Sequence, residues 1–91
     1  MKASIGRVVI VKGGVAESNG VDRAPALITR VWADGTEEHG ADTRNGKVLI
    51  NTHAFPDCAS PVMVTSIYLF DDEEQAIADG GAVVAFWPPR V

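Results

Sequence analysis

Residues Ala24–Trp32, APALITRVW, decide how the rest of the chain is read. Leu27, Ile28, Val31 and Trp32 are strand formers, with Thr29 and Arg30 between them. A loop containing Gly, Asn and Asp precedes the stretch, and the longest run without apolar order follows it. The pattern reads as a strand buried over much of both faces and central in a small sheet. Pro25 must then lie at its start, because proline cannot donate to a ladder inside a central strand.

Four more strands are predicted around this one. Arg7–Lys12 (RVVIVK) places four apolar residues in succession, which suits burial on both faces or an amphipathic edge with Val8 and Ile10 inward. Gly13 and Gly14 end it, since glycine takes positive φ at no steric cost. The polar stretch up to Arg23 is a surface loop with Asn19-Gly20 as its turn. In Val48–Phe55 (VLINTHAF), Val48, Ile50, Thr52 and Ala54 share one face. Leu49, Asn51, His53 and Phe55 share the other. Pro56–Pro61 is a tight connection to the fourth strand, Val62–Leu69. Asp71–Gly81 reads as a short helix, with acids that suit the dipole in its first turn and Gly80-Gly81 as its stop. Ala82–Trp87 is the last strand, and Pro88-Pro89 ends it. The expected fold is mainly β: a small five-stranded, strongly curved antiparallel sheet or small barrel. At most one short helix is expected, near residues 71–79. A two-sheet sandwich usually needs about 100 residues and seven strands.

Length and composition narrow the function classes. Ninety-one residues make a single domain, 1–91, with one modest core. The net charge of −4 and the lack of a basic stripe make nucleic acid an unexpected partner, because phosphate neutralisation supplies most non-specific affinity. Cys58 is the only cysteine, so no intramolecular disulfide can form. The longest apolar run, Ala82–Pro89, is far short of the roughly 20 residues of a membrane span. The start, MKASIGR, lacks the apolar region of a signal peptide. A cytoplasmic protein is expected.

Several segments resemble a group of small proteins of tailed bacteriophages and prophages. Their first strand is G-R-hydrophobic-V, here Gly6-Arg7-Val8-Val9. An A-A-hydrophobic-hydrophobic-T-x-V strand follows, here Pro25-Ala26-Leu27-Ile28-Thr29-Arg30-Val31. Next comes V-x-L-x-V-F, partly matched by VLINTHAF, and the chain ends in W-x-W-P. Here the terminal pair is Phe86-Trp87 with no second tryptophan, and the polar middle at Gly35–Gly46 is longer than in that group. The resemblance implies an SH3-like β-barrel and the cytoplasm of a bacterial host. It carries no activity, and no functional residue transfers from it.

Candidate chemistry is sparse. Glu37, Glu38, His39 and Asp42 offer carboxylate and imidazole ligands, but their spacing fits no helical or EF-hand site, and a solvated acidic loop is expected. Cys58 lies near His53 and Asp57, yet no base or oxyanion pattern surrounds it, so it reads as a small cysteine at a strand end. Gly13-Gly14 lacks the helix start that a phosphate loop needs. The aromatics Trp32, Phe55, Tyr68, Phe70, Phe86 and Trp87 serve the core first. Any left exposed side by side would form a binding or oligomer surface. The candidate binding residues are Trp32, Tyr68, Trp87, Arg30 and Arg90, with no catalytic residue, metal or cofactor expected.

Two functions of different class are consistent with this pattern. The first is a non-enzymatic phage or prophage accessory protein that binds a protein partner or its own copies in an assembly. The second is a small-ligand sequestering protein that captures a nucleotide signal of bacterial defence, with Arg23, Arg30, Arg44 or Arg90 gripping phosphate. An enzyme ranks third.

Ala33–Gly46 holds four acidic side chains and no large apolar one. Little burial can oppose the roughly 1–2 kcal/mol per residue of backbone ordering entropy. This loop, about 33–46, is predicted to be mobile, to exchange its amides fast and to be cut first by protease. Amide protection equal to that of Ala24–Trp32 would instead make it a hairpin.

Overall fold

The computed structural model describes residues 2–15, 20–34, 47–57 and 59–89. The elements are β1 (Val8–Lys12), β2 (Arg23–Asp34), β3 (Val48–Ala54), β4 (Val62–Phe70), α1 (Glu73–Asp79) and β5 (Val84–Phe86). The five strands close into a small barrel in the order β1-β2-β3-β4-β5. Strands β1 to β4 form an antiparallel meander, and β5 returns antiparallel to β1. One pairing departs from the expected antiparallel sheet: β5 runs parallel to β4, because α1 carries the chain back between them.

β2 is central, pairing with β1 and β3, but it is not buried on both faces. Ala24, Ala26 and Ile28 are buried in alternation with the exposed Pro25, Leu27 and Thr29. In a barrel this small, one face of every strand lines the interior and the other meets whatever covers the outside. Only part of the outside is covered, so the outward side chains of β2 stay in solvent. Pro25 is the third residue of β2, and its carbonyl accepts a hydrogen bond from the Phe55 amide at 2.9 Å.

β1 has the phase opposite to the expected edge. Val9 and Val11 point into the core, whereas Val8 is exposed and Ile10 is half-buried on the outside. Four β-branched residues in a row carry no phase information of their own. The pairing of Val9 with Ala26 and of Val11 with Ala24 and Ala85 sets it, because small alanines leave room for inward valines.

The last strand is shorter than Ala82–Trp87, and all three of its residues are buried. Ala85 and Trp87 join the barrel core with Val9, Val11, Ile28 and Ile50. Val84 and Phe86 face the other way, into a second cluster with Ala76 of α1, Ile10 and Phe70. The helix thus lids the outer face of β5. It begins at Asp72, whose carboxylate accepts from the Gln75 amide at 2.9 Å. It ends at Gly80, in the left-handed conformation with φ 79°. Gly13, with φ 85°, lets the chain turn under the Ala82 carbonyl, where a Cβ would collide. Thr52 is the one buried polar residue among those described, and its hydroxyl donates to the Val64 carbonyl at 2.8 Å.

Where β1 ends and β2 begins, Lys12 and Arg23 both meet Asp22, and Arg23 continues to Glu73 of α1. Desolvation works to raise the Asp22 carboxyl, but Lys12 and Arg23 outweigh it and hold the group below its usual value. The small stabilisation this supplies is present at neutral pH and is lost as pH falls through the lowered value. Among the described residues no helix is long and apolar enough to cross a membrane.

Trp87 is only 7% exposed. Trp87→Ala is expected to cost about 3–5 kcal/mol, a large share of the roughly 5–15 kcal/mol of a whole domain. Urea unfolding checks it: a midpoint within error of the parent would remove Trp87 from the core.

Candidate functional site

The barrel leaves three surfaces whose residues converge. The first is the outer face of the meander. The register aligns Val8 with Leu27, Leu27 with His53, and His53 with Met63, one row across β1, β2, β3 and β4. Val8, Leu27 and Met63 are exposed, Met63 at 79%. Phe55 is exposed too, and its ring stacks on His53 with centroids 5.4 Å apart and planes at 13°. Pro25 lies on the same face, two residues before Leu27. Val8, Leu27, Phe55 and Met63 thus expose apolar surface around the half-buried His53.

The second surface is built by irregular pairing. β2 has an extra residue opposite β3 at Thr29 and another at Trp32, and β4 has one at Thr65-Ser66. Ser66 takes φ +55°, rare for a side chain other than glycine. A bulge leaves a backbone group without its ladder partner. Here Asn51 of β3 supplies one: its Oδ1 accepts the Ser66 amide at 2.8 Å and the Trp32 indole Nε1 at 2.9 Å. One side-chain oxygen therefore joins three strands and fixes the indole. The Arg30 guanidinium lies over that ring, with Cζ 3.8 Å from the centroid. Arg30, Trp32 and Val31 line a cleft of about 380 Å³ together with Lys2, Ala3, Ser4 and Ile5.

The third surface is a groove of about 600 Å³ between α1 and the chain end, lined by Asp71 to Glu74, Phe86, Trp87 and the two prolines that follow. Its carboxylates are partly committed, Asp72 to the helix cap and Glu73 to Arg23.

Of the expected binding residues, the structure brings Arg30 and Trp32 together. Tyr68 is elsewhere: half-buried, it lies beneath Lys47, whose Nζ is 4.8 Å from the ring centroid and 3.1 Å from Asp79. Trp87 packs in the core, and Arg90 lies outside the described residues. So do Arg44, Cys58, the Glu37–Asp42 cluster and most of the 33–46 loop. The Gly13 amide, which a phosphate loop would need, donates to the Asp22 carbonyl at 2.7 Å. Among the described residues no group of three or more His, Cys, Asp or Glu could hold a metal ion. The sequence reading missed the outer row, Asn51, and the contribution of Lys2 and Ile5. One signal was available: an asparagine inside an otherwise apolar strand marks a place where backbone groups need a partner.

Comparison with protein-family models, with curated proteins and with solved structures gave no match.

Asn51→Ala removes the acceptor from both the Ser66 amide and the Trp32 indole. Each such bond is worth about 0.5–1.5 kcal/mol, so the variant should lose about 1–3 kcal/mol in denaturant unfolding. The fluorescence of Trp32 should shift to the red as its frame loosens. An unchanged midpoint and spectrum would show that Asn51 holds neither group.

Proposed function

We propose that this chain is a non-enzymatic protein-binding module, an accessory or assembly protein of a phage or prophage. It receives its partner on the outer face of the barrel. The observation that carries the reading is the row across four paired strands in which Val8, Leu27 and Met63, with Phe55 beside them, are apolar and open to solvent around the half-buried His53. Exposing that surface costs solubility, and exposed apolar side chains gathered on one face of a small chain mark an interaction site. The phage setting is supported by the resemblance of the Gly6–Val9, Pro25–Val31 and Trp87-Pro88 segments, and by that alone.

The partner is an amphipathic helix with basic flanks. Strands lie about 4.8 Å apart, so the row spans roughly 14 Å. A helix crossing the strands presents one apolar side chain per turn of about 5.4 Å, so its stripe meets one strand per turn. A second copy fits the face less well. The −4 charge of each chain opposes self-pairing. The same charge favours a basic helix.

A synthetic leucine-lysine helix of about 14 residues, close to four turns, is the probe. Amide shifts on titration should centre on Val8, Leu27, His53 and Met63. Met63→Asp should weaken binding about tenfold or more while the melting temperature stays near the parent's, since Met63 is 79% exposed. Equal affinity in the variant would overturn the proposal. So would a dimer of the free chain that Met63→Asp dissolves, because the occupant would then be a second copy.

A further inference from the structure

The cleft beside Trp32 gathers two cations, Lys2 and Arg30, that meet no carboxylate among the described residues. Among the described residues, Lys12, Arg23 and Lys47 each form an ion pair, and Arg7 has a partner as well. Lys2 and Arg30 pair with no carboxylate among those residues, and both line the same cleft. Two cations that no described carboxylate meets, at one concave site, favour an anion there.

The rest of the cleft describes the body that carries the anion. Trp32 is 45% exposed, yet its indole is held by Asn51 rather than free to turn. Arg30 covers part of the ring and offers a planar guanidinium on which a further flat group can stack. Its N–H fork remains available for a phosphate or carboxylate. Ala3, Ile5 and Val31 supply apolar wall, and Ser4 a hydroxyl. At about 380 Å³ the cleft is near the lower end of ligand pockets.

We infer that this cleft binds a small aromatic anion of the mononucleotide class: the base stacks on the Arg30–Trp32 pair and the phosphate is held by Arg30 and Lys2. A single free nucleotide fits better than a polynucleotide. A pocket of this size holds one base, and the −4 charge repels a long polyanion, whereas a single phosphate sees mainly its two nearest cations. The site uses none of the residues of the apolar outer row, so it stands or falls independently of the partner-binding face.

Adenosine 5′-monophosphate, adenosine and inorganic phosphate are the three probes, read by calorimetry and by tryptophan fluorescence. Trp87 is buried and serves as the internal reference for quenching of Trp32. The monophosphate should bind about tenfold or more tighter than adenosine or phosphate alone, because stacking and charge pairing add. Arg30→Ala should lose about tenfold or more, and Arg30→Lys should restore only part of it, since the planar stack is gone. Lys2→Ala should weaken the monophosphate and leave adenosine unchanged. Arg30 and Lys2 are exposed, so these variants fold even where Trp32→Ala does not. No saturable monophosphate binding would overturn the inference. Equal binding by the Arg30 variants would do so too, and so would affinity that climbs with oligonucleotide length.

Discussion

Closure of the barrel rests on three residues. Val84–Phe86 is the shortest strand, yet it bridges β1 and β4 and presents side chains to two cores. Ala85 is small enough for Val11 and Leu69 to pack beside it inside the barrel, while Phe86 fills the space under α1. A strand with one polar face could not do this, because either the barrel or the helix would lose its contact. The backbone ladder continues one residue further through the Trp87 amide, which donates to the Phe70 carbonyl at 3.1 Å. Pro88 then stops pairing at the place where a longer strand would run past the barrel rim. Every strand is paired on both sides over at least part of its length as a result, although β4 meets β5 only at Leu69 and Phe70.

Closing five strands into a small cylinder requires strong local bending, and the bulges provide it. Three irregularities fall on β2 and β4, the two neighbours of β3, and Asn51 of β3 faces two of them. A constraint of curvature therefore decides a matter of recognition. The bulge at Trp32 aims the indole outward, the asparagine fixes it, and Arg30 stacks on it. The candidate ligand cleft exists because the sheet must bend there.

The exterior is divided by what covers it. α1 takes one side, and its first-turn acids set a negative groove against the chain end. The opposite strands carry the bare apolar row, and the N-terminal residues wall the cationic cleft. Among the described residues, Asp71, Asp72, Glu73, Glu74 and Asp79 cluster at α1, where Arg23 pairs with Glu73 and Lys47 with Asp79.

The sequence by itself determined the number and approximate place of the strands, the helix with its acidic first turn and glycine stop, and the end at Pro88. Those signals are local. Turn dipeptides, helix caps and β-branched runs act through the backbone of their own few residues. It also sorted Val48–Ala54 into two faces, and the structure then chose the one with Ile50, Thr52 and Ala54 for the core. Only the tertiary structure decided that Val9 and Val11 rather than Val8 and Ile10 enter the core, since an unbroken apolar run looks the same in either phase. The tertiary structure likewise exposed one face of β2, made the β4–β5 pairing parallel, and brought Lys2 beside Arg30 and Trp32. The alignment of Val8, Leu27, His53 and Met63 belongs with these. Each depends on register between segments distant in the chain, and register follows from barrel closure and bulges, which are written in no single stretch of residues.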